Sequence, residues 1–184
     1  MDAADSIPSG FSETLRPDLV RHVAVGRRDA ATLVRAAVRE AFEESGALLA
    51  AGRPGRAGPP AAPLEPADPL ENVWQAYRRL ELTPAFAAIA LVGRAITPTS
   101  SPRRYNTHFF LADATPFPGT IIGNGELEDL AWWPLGKIQN LGLVDVTEFM
   151  LAEALALWRA GLKRPAGARP PLLTYVGDAV RVRR

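Results

Sequence analysis

This sequence predicts an α+β domain, and three observations carry the prediction. Apolar residues recur at helical spacing over 29–50, 70–82 and 145–162. Short runs rich in β-branched and aromatic residues occupy 87–97, 105–112 and 172–182, as strands require. The chain has 184 residues and an apolar content of 47%, enough to bury a core in one domain.

The other counts exclude several chemistries. With 21 Lys and Arg against 20 Asp and Glu, the net charge of +1 gives no general pull toward nucleic acid or an anionic membrane. Cysteine is absent and the two histidines, His22 and His108, are far apart. Thiolate catalysis, a disulfide framework and a Cys/His zinc site are therefore ruled out, and any metal must be held mainly by oxygen. Residues 1–20 include Asp2, Asp5, Glu13 and Asp18 with no apolar run, so no secretory signal is read there. The longest apolar stretch, 84–92, is about half of what a membrane span needs, and a soluble, cytoplasmic protein is expected.

Taken in order, the elements begin with a short helix within 13–25, whose apolar pattern is convincing from Asp18 onward. Asp29 then caps a helix carrying Leu33, Ala37, Val38, Ala41, Phe42 and Leu48 over 29–50. Gly46 can end it in a left-handed turn, which would leave the last four residues outside. Residues 51–69 are rich in Gly, Pro and Ala and predict a flexible loop, because repeated prolines forbid regular hydrogen bonding. Helical periodicity resumes over 70–82 and breaks at Thr83-Pro84. Strands follow at 87–97 and 105–112, and imperfect alternation predicts another over 126–133, with at least one of Trp132 and Trp133 in the core. Pro134 starts a helix or turn, and Asp145 is the expected N-cap of a helix over 145–162 with Gly161 near its end. A closing strand spans 172–182.

Most of the chemical information lies in Arg39-Glu40-Ala41-Phe42-Glu43-Glu44-Ser45-Gly46-Ala47. Glu40, Glu43 and Glu44 are spaced i, i+3, i+4 and meet on one helix face, where three carboxylates repel unless a positive group joins them. A hard divalent cation that takes oxygen ligands, Mg²⁺ or Mn²⁺, is the natural partner, and Arg39 can orient a carboxylate. The same residues also suit a solvated helix face, in which Arg35 and Arg39 form weak ion pairs with the glutamates. Arg, three Glu and Gly at five set positions would coincide by chance on the order of once in a million starting points.

This segment resembles the second half of the Nudix box, whose pattern is Gly, five residues, Glu, seven residues, then Arg-Glu-apolar-x-Glu-Glu-x-Gly-apolar. The resemblance implies a mixed β-sheet packed between helices and hydrolysis of a pyrophosphate bond in a nucleoside-diphosphate-linked substrate. It also implies that Glu40, Glu43 and Glu44 are metal ligands for Mg²⁺ or Mn²⁺, that Glu43, Glu44 and Arg39 serve catalysis, and that Gly46 ends the helix. The first half of the box is missing at standard spacing: Ala31 stands where Glu is wanted and Val25 where Gly is wanted, with Gly26 one place off.

One branch of that family, similar to peroxisomal CoA-diphosphatases, carries an insertion between a Phe-Pro-Gly-Gly turn and the helix. There an Asp-rich segment much like Asp2-Ala3-Ala4-Asp5 follows the turn. Arg103-Arg104-Tyr105-Asn106-Thr107-His108-Phe109-Phe110 is similar to that branch's arginine-arginine strand, and 125–132 resembles the strand before its tryptophan. The resemblance then implies a single, incomplete Nudix-like domain over 1–184 lacking its first strands, with a nucleotide or CoA-type diphosphate as substrate. Its catalytically silent counterpart is a domain that binds a nucleotide or a protein. Arg103 and Arg104 are candidate phosphate contacts or a strand-end solubilising pair, and Glu126 is a candidate additional carboxylate or a surface residue.

Overall fold

The computed structural model describes residues 14–23, 29–50, 72–112, 127, 130–177 and 179–184. Four helices, α1 (Pro17–Val23), α2 (Ala30–Ser45), α3 (Val73–Arg79) and α4 (Asp145–Arg159), are present among them. Four strands, β1 (Ile89–Ile96), β2 (Asn106–Ala112), β3 (Leu172–Val176) and β4 (Ala179–Arg183), form one sheet in the order β2-β1-β3-β4. The sheet is mixed, because β1 runs parallel to β3 while β3 and β4 are antiparallel. The expected α+β class is therefore observed. The chain divides into two compact units, one of Met1–Val20, Ala24–Ile89 and Ala112–Trp132, the other of Arg21–Val23, Ala90–Leu111 and Trp133–Arg184.

In the first unit α2 and α3 pack together. α2 buries Ala30, Val34, Val38 and Phe42, a stripe of strict i, i+4 spacing. Asn72 and Gln75 close a capping box on α3, with the Asn72 side chain accepting from the Trp74 and Gln75 N–H groups. α3 contributes Val73, Trp74, Ala76 and Tyr77 to the core, where Trp74 stacks on Tyr77 with ring centroids 6.1 Å apart. The Tyr77 hydroxyl donates to the Leu49 carbonyl at 2.7 Å, so a wholly buried phenol keeps a partner. The chain after α2 is extended rather than helical: Ala50 bridges Pro84, and the Ala85 N–H donates to the same Leu49 carbonyl at 3.0 Å. The helix expected over 29–50 thus stops at Ser45, and the burial of Leu48 and Ala50 comes from this extended segment.

In the second unit α4 packs on the sheet. Met150 joins Val92, Ala95 and Leu173 in a buried cluster, with Phe109, Leu111, Val146, Phe149, Ala154 and Tyr175 against it. Gly93 lets the layers approach: a Cβ there would lie 2.9 Å from the Pro171 carbonyl oxygen and 3.0 Å from Met150 Sδ. The parallel pairing registers Arg94 with Leu172 and Ala95 with Leu173, and the Arg94 N–H donates to the Pro171 carbonyl at 2.9 Å. Arg164 clasps β1 from the side, one guanidinium nitrogen reaching the Leu91 and Val92 carbonyls at 2.5 and 2.6 Å.

Three expectations are corrected here. The described residues of 126–133 contain no strand, and Trp132 and Trp133 are both exposed, at 66% and 47%, so neither is a core residue. The single strand expected over 172–182 is a hairpin, β3 and β4 joined through Gly177, whose φ of 58° is the left-handed conformation a tight turn needs. Asp145 is the first residue of α4 rather than its N-cap, which is Val144; its carboxylate accepts from the Val146 N–H and from the Tyr175 hydroxyl. The predicted loop 51–69 and Glu126 lie outside the described residues.

Candidate functional site

The geometry of α2 begins at its cap. Asp29 has extended backbone, and its side chain accepts from the Thr32 N–H at 2.7 Å, satisfying one of the helix's unpaired first-turn donors. That backbone bond, and then the Thr32 hydroxyl, hold the Asp29 carboxyl below its ordinary range, with a further contribution from the Arg35 charge. At the other end Gly46 adopts φ 68° and donates its N–H to the Phe42 carbonyl at 2.7 Å. A residue with a Cβ would be strained in this conformation, so the glycine fixes where the helix ends. The Ser45 hydroxyl turns back to the Ala41 carbonyl at 2.5 Å.

With the stripe of Val34, Val38 and Phe42 buried, the helical repeat turns Glu40 to the opposite side. The side chains of Glu40 and Glu43 are 63% and 44% exposed, whereas that of Arg39 is only 19% exposed. Arg39 organises the pair: one guanidinium nitrogen donates to Glu43 Oε2 at 2.6 Å, and the other lies 3.7 Å from Glu40 Oε1. Both carboxylates, which follow Arg39 at i+1 and i+4, therefore converge on one cation, while Glu44 stands half-buried on the next turn from Glu40. The donor chemistry, carboxylate oxygen on a rigid helix, suits a hard divalent ion. Among the described residues, however, no three His, Cys, Asp or Glu side chains are gathered closely enough to hold an ion. Ligation by Glu40, Glu43 and Glu44 would require the exposed carboxylates to turn toward one another.

Arg103 and Arg104 are exposed in the connection between β1 and β2. That turn is pinned by the Thr97 N–H donating to the Tyr105 carbonyl, the Tyr105 N–H to Thr97 Oγ1, and the Ser101 hydroxyl to the Arg103 carbonyl. These arginines belong to the second compact unit and the carboxylate helix to the first. His108 is partly buried on β2 and stacks on Phe110, with centroids 6.4 Å apart. Arg164, which the sequence does not single out, is structural, and Arg184, whose place in the terminal group Arg181, Arg183 and Arg184 predicts a solvated tail, pairs with Glu153 of α4 at 2.5 Å. The period-two spacing of Arg184 from Val180 and Val182 places it, one residue past β4, on the side turned toward that helix.

No protein-family model matches the chain, and comparison with curated proteins and with solved structures finds no match. None of the helices among the described residues is long and apolar enough to cross a membrane.

Proposed function

We propose that this chain is a Nudix-type hydrolase that uses Mg²⁺ or Mn²⁺ to split a pyrophosphate bond in a nucleoside-diphosphate-linked substrate, CoA-like substrates included. The observation that carries the reading is the α2 carboxylate face ending at Gly46. The pattern's Arg and first two Glu converge at their side chains, and its Gly sits in the left-handed conformation of a helix terminator. On this reading Glu40, Glu43 and Glu44 hold the metal, which when bound neutralises phosphate charge and lowers the pKa of water. Arg39 orients Glu43, and one of the three glutamates or a downstream acid takes the proton from the attacking water. Arg103 and Arg104 are proposed as contacts to the substrate's phosphates, and Glu126 as an additional metal-binding or base carboxylate.

A second reading has its own support. Arg39 already neutralises Glu43 and lies near Glu40, and the described carboxylates do not form a gathered site. Those observations favour a catalytically silent domain that binds a nucleotide or a protein. Titration with Mn²⁺ and Mg²⁺ followed by thermal unfolding, then a hydrolysis panel of CoA and dinucleotide pyrophosphates, separates the two. The enzyme reading expects a metal-dependent rise in Tm, turnover of at least one substrate, and loss of that turnover in Glu44→Gln with unchanged folding. No metal response and no turnover would overturn it.

A further inference from the structure

The pairing registers sort the side chains of three strands onto two faces. Ala95, Leu173 and Val182 lie opposite one another in one row, and Ala95 and Leu173 are in the core under Met150 of α4. The adjacent row is Arg94, Leu172 and Arg183, which therefore occupies the other face of the sheet, joined there by Arg181 opposite Thr174. Arg94 Nε is buried with no hydrogen-bond partner among the described residues, and none of these three arginines is in an ion pair among them. One face of the β3–β4 ladder is thus positive and uncompensated among the described residues.

β4 is the outer strand of the sheet, and all five of its residues are exposed. It presents Arg181 and Arg183 on the positive face, and on the other Val180 and Val182, which are 43% and 40% exposed. An outer strand leaves a row of backbone N–H and C=O groups open to a further strand. A second copy of this chain is a poor occupant of the registers that bring both arginines into the pairing. Antiparallel self-pairing about Arg181 sets that residue against its own copy, and pairing about Val182 sets Arg181 against Arg183 twice, both like-charge contacts.

We propose that the outer edge of β4 docks an extended acidic segment of another protein, which adds to the sheet as a strand. Its carboxylates lie over Arg181 and Arg183, and its alternate apolar side chains cover Val180 and Val182. Main-chain hydrogen bonds hold the segment, and the charge alternation sets its register. The site is independent of the hydrolase reading, since it uses neither α2 nor a metal.

The test uses the full chain and a capped, fluorescein-labelled eight-residue peptide of alternating Glu and Val, followed by anisotropy. Saturable binding is expected, weakened about tenfold by R181A/R183A, near the upper end for two cross-strand charge pairs. R181E/R183E should reverse the preference toward an alternating Lys–Val peptide. N-methylation of every second peptide amide should abolish binding in one of the two possible patterns and spare the other, a control that needs no protein variant. No saturable binding overturns the proposal. So does equal binding of a scrambled Glu/Val peptide or of both N-methylated forms, since either result would show loose polyanion attraction.

Discussion

Substituting Gly93 by Ala tests whether the contact between β1 and α4 is as close as it looks. Adding a Cβ has one favourable effect, since reducing the freedom of the unfolded chain stabilises by about 0.4–1 kcal/mol. Against that, the new atom would sit 2.9 Å from the Pro171 carbonyl oxygen and 3.0 Å from both Pro171 Cγ and Met150 Sδ. The thioether can swing away, because methionine is flexible. The carbonyl oxygen is fixed, because it accepts the Arg94 N–H that ties β1 to the segment entering β3. Overpacking of this kind costs about 1–3 kcal/mol, so the net destabilisation should be about 1–2 kcal/mol. That corresponds to a Tm lower by roughly 4 °C for a chain of this size. Urea unfolding followed by far-UV circular dichroism reads the loss directly. The double variant Gly93→Ala/Met150→Ala should recover almost none of the Gly93→Ala penalty, as the backbone oxygen is the contact that cannot yield. A Gly93→Ala protein as stable as the parent, or full rescue by removing the Met150 side chain, would refute the reasoning.

The remaining predictions concern the first unit and α2. Tyr77→Phe should cost about 1 kcal/mol, near the middle of the range for one hydrogen bond, because the Leu49 carbonyl still accepts from Ala85. Burial pushes the Tyr77 phenol far above its ordinary value, so its stabilisation is full below about pH 10, where the unfolded chain's tyrosine titrates, and falls as pH rises from there. Tyr77→Phe should flatten that alkaline decline in a pH series of urea midpoints. Asp29→Ala should cost about 1 kcal/mol through the lost cap. The Asp29 carboxyl is held low in the folded state, so its contribution is present above about pH 4 and is lost as pH falls through the folded value; the alanine variant should show a shallower acid decline.

What could be read in the sequence follows the strength of local constraint. α2 was legible because three devices agree: an aspartate cap, a strict four-residue apolar stripe and a glycine terminator. The apolar residues beyond Gly46 misled, because Leu48 and Ala50 are buried by pairing with Pro84, a contact remote in sequence. β1 and β2 were legible from composition alone. The β3–β4 hairpin was read as one strand although Gly177-Asp178 is a two-residue turn signal, since both arms share the same alternation. The tryptophan pair was misplaced for a different reason. Two adjacent aromatic residues imply a core only if a partner surface exists, and here both side chains face solvent in chain without regular structure. At the candidate site, spacing foretold which carboxylates share the helix, but only the structure shows Arg39 lying between two of them.

The parallel pairing of β1 with β3 has a consequence for how the chain reaches its fold. Between these strands lie β2, the turn at Leu135–Asn140 and all of α4, so the Arg94–Leu172 contact closes a long stretch of chain. Contacts of that separation form late, because loop entropy is lost before any pairing compensates it. During synthesis β1 and β2 emerge well before β3 does, with Val92 and Ala95 still lacking the Leu173 and Met150 that cover them. The β1–β2 region thus depends on protection until β3 arrives, and changes that slow that arrival should show first as lost soluble yield.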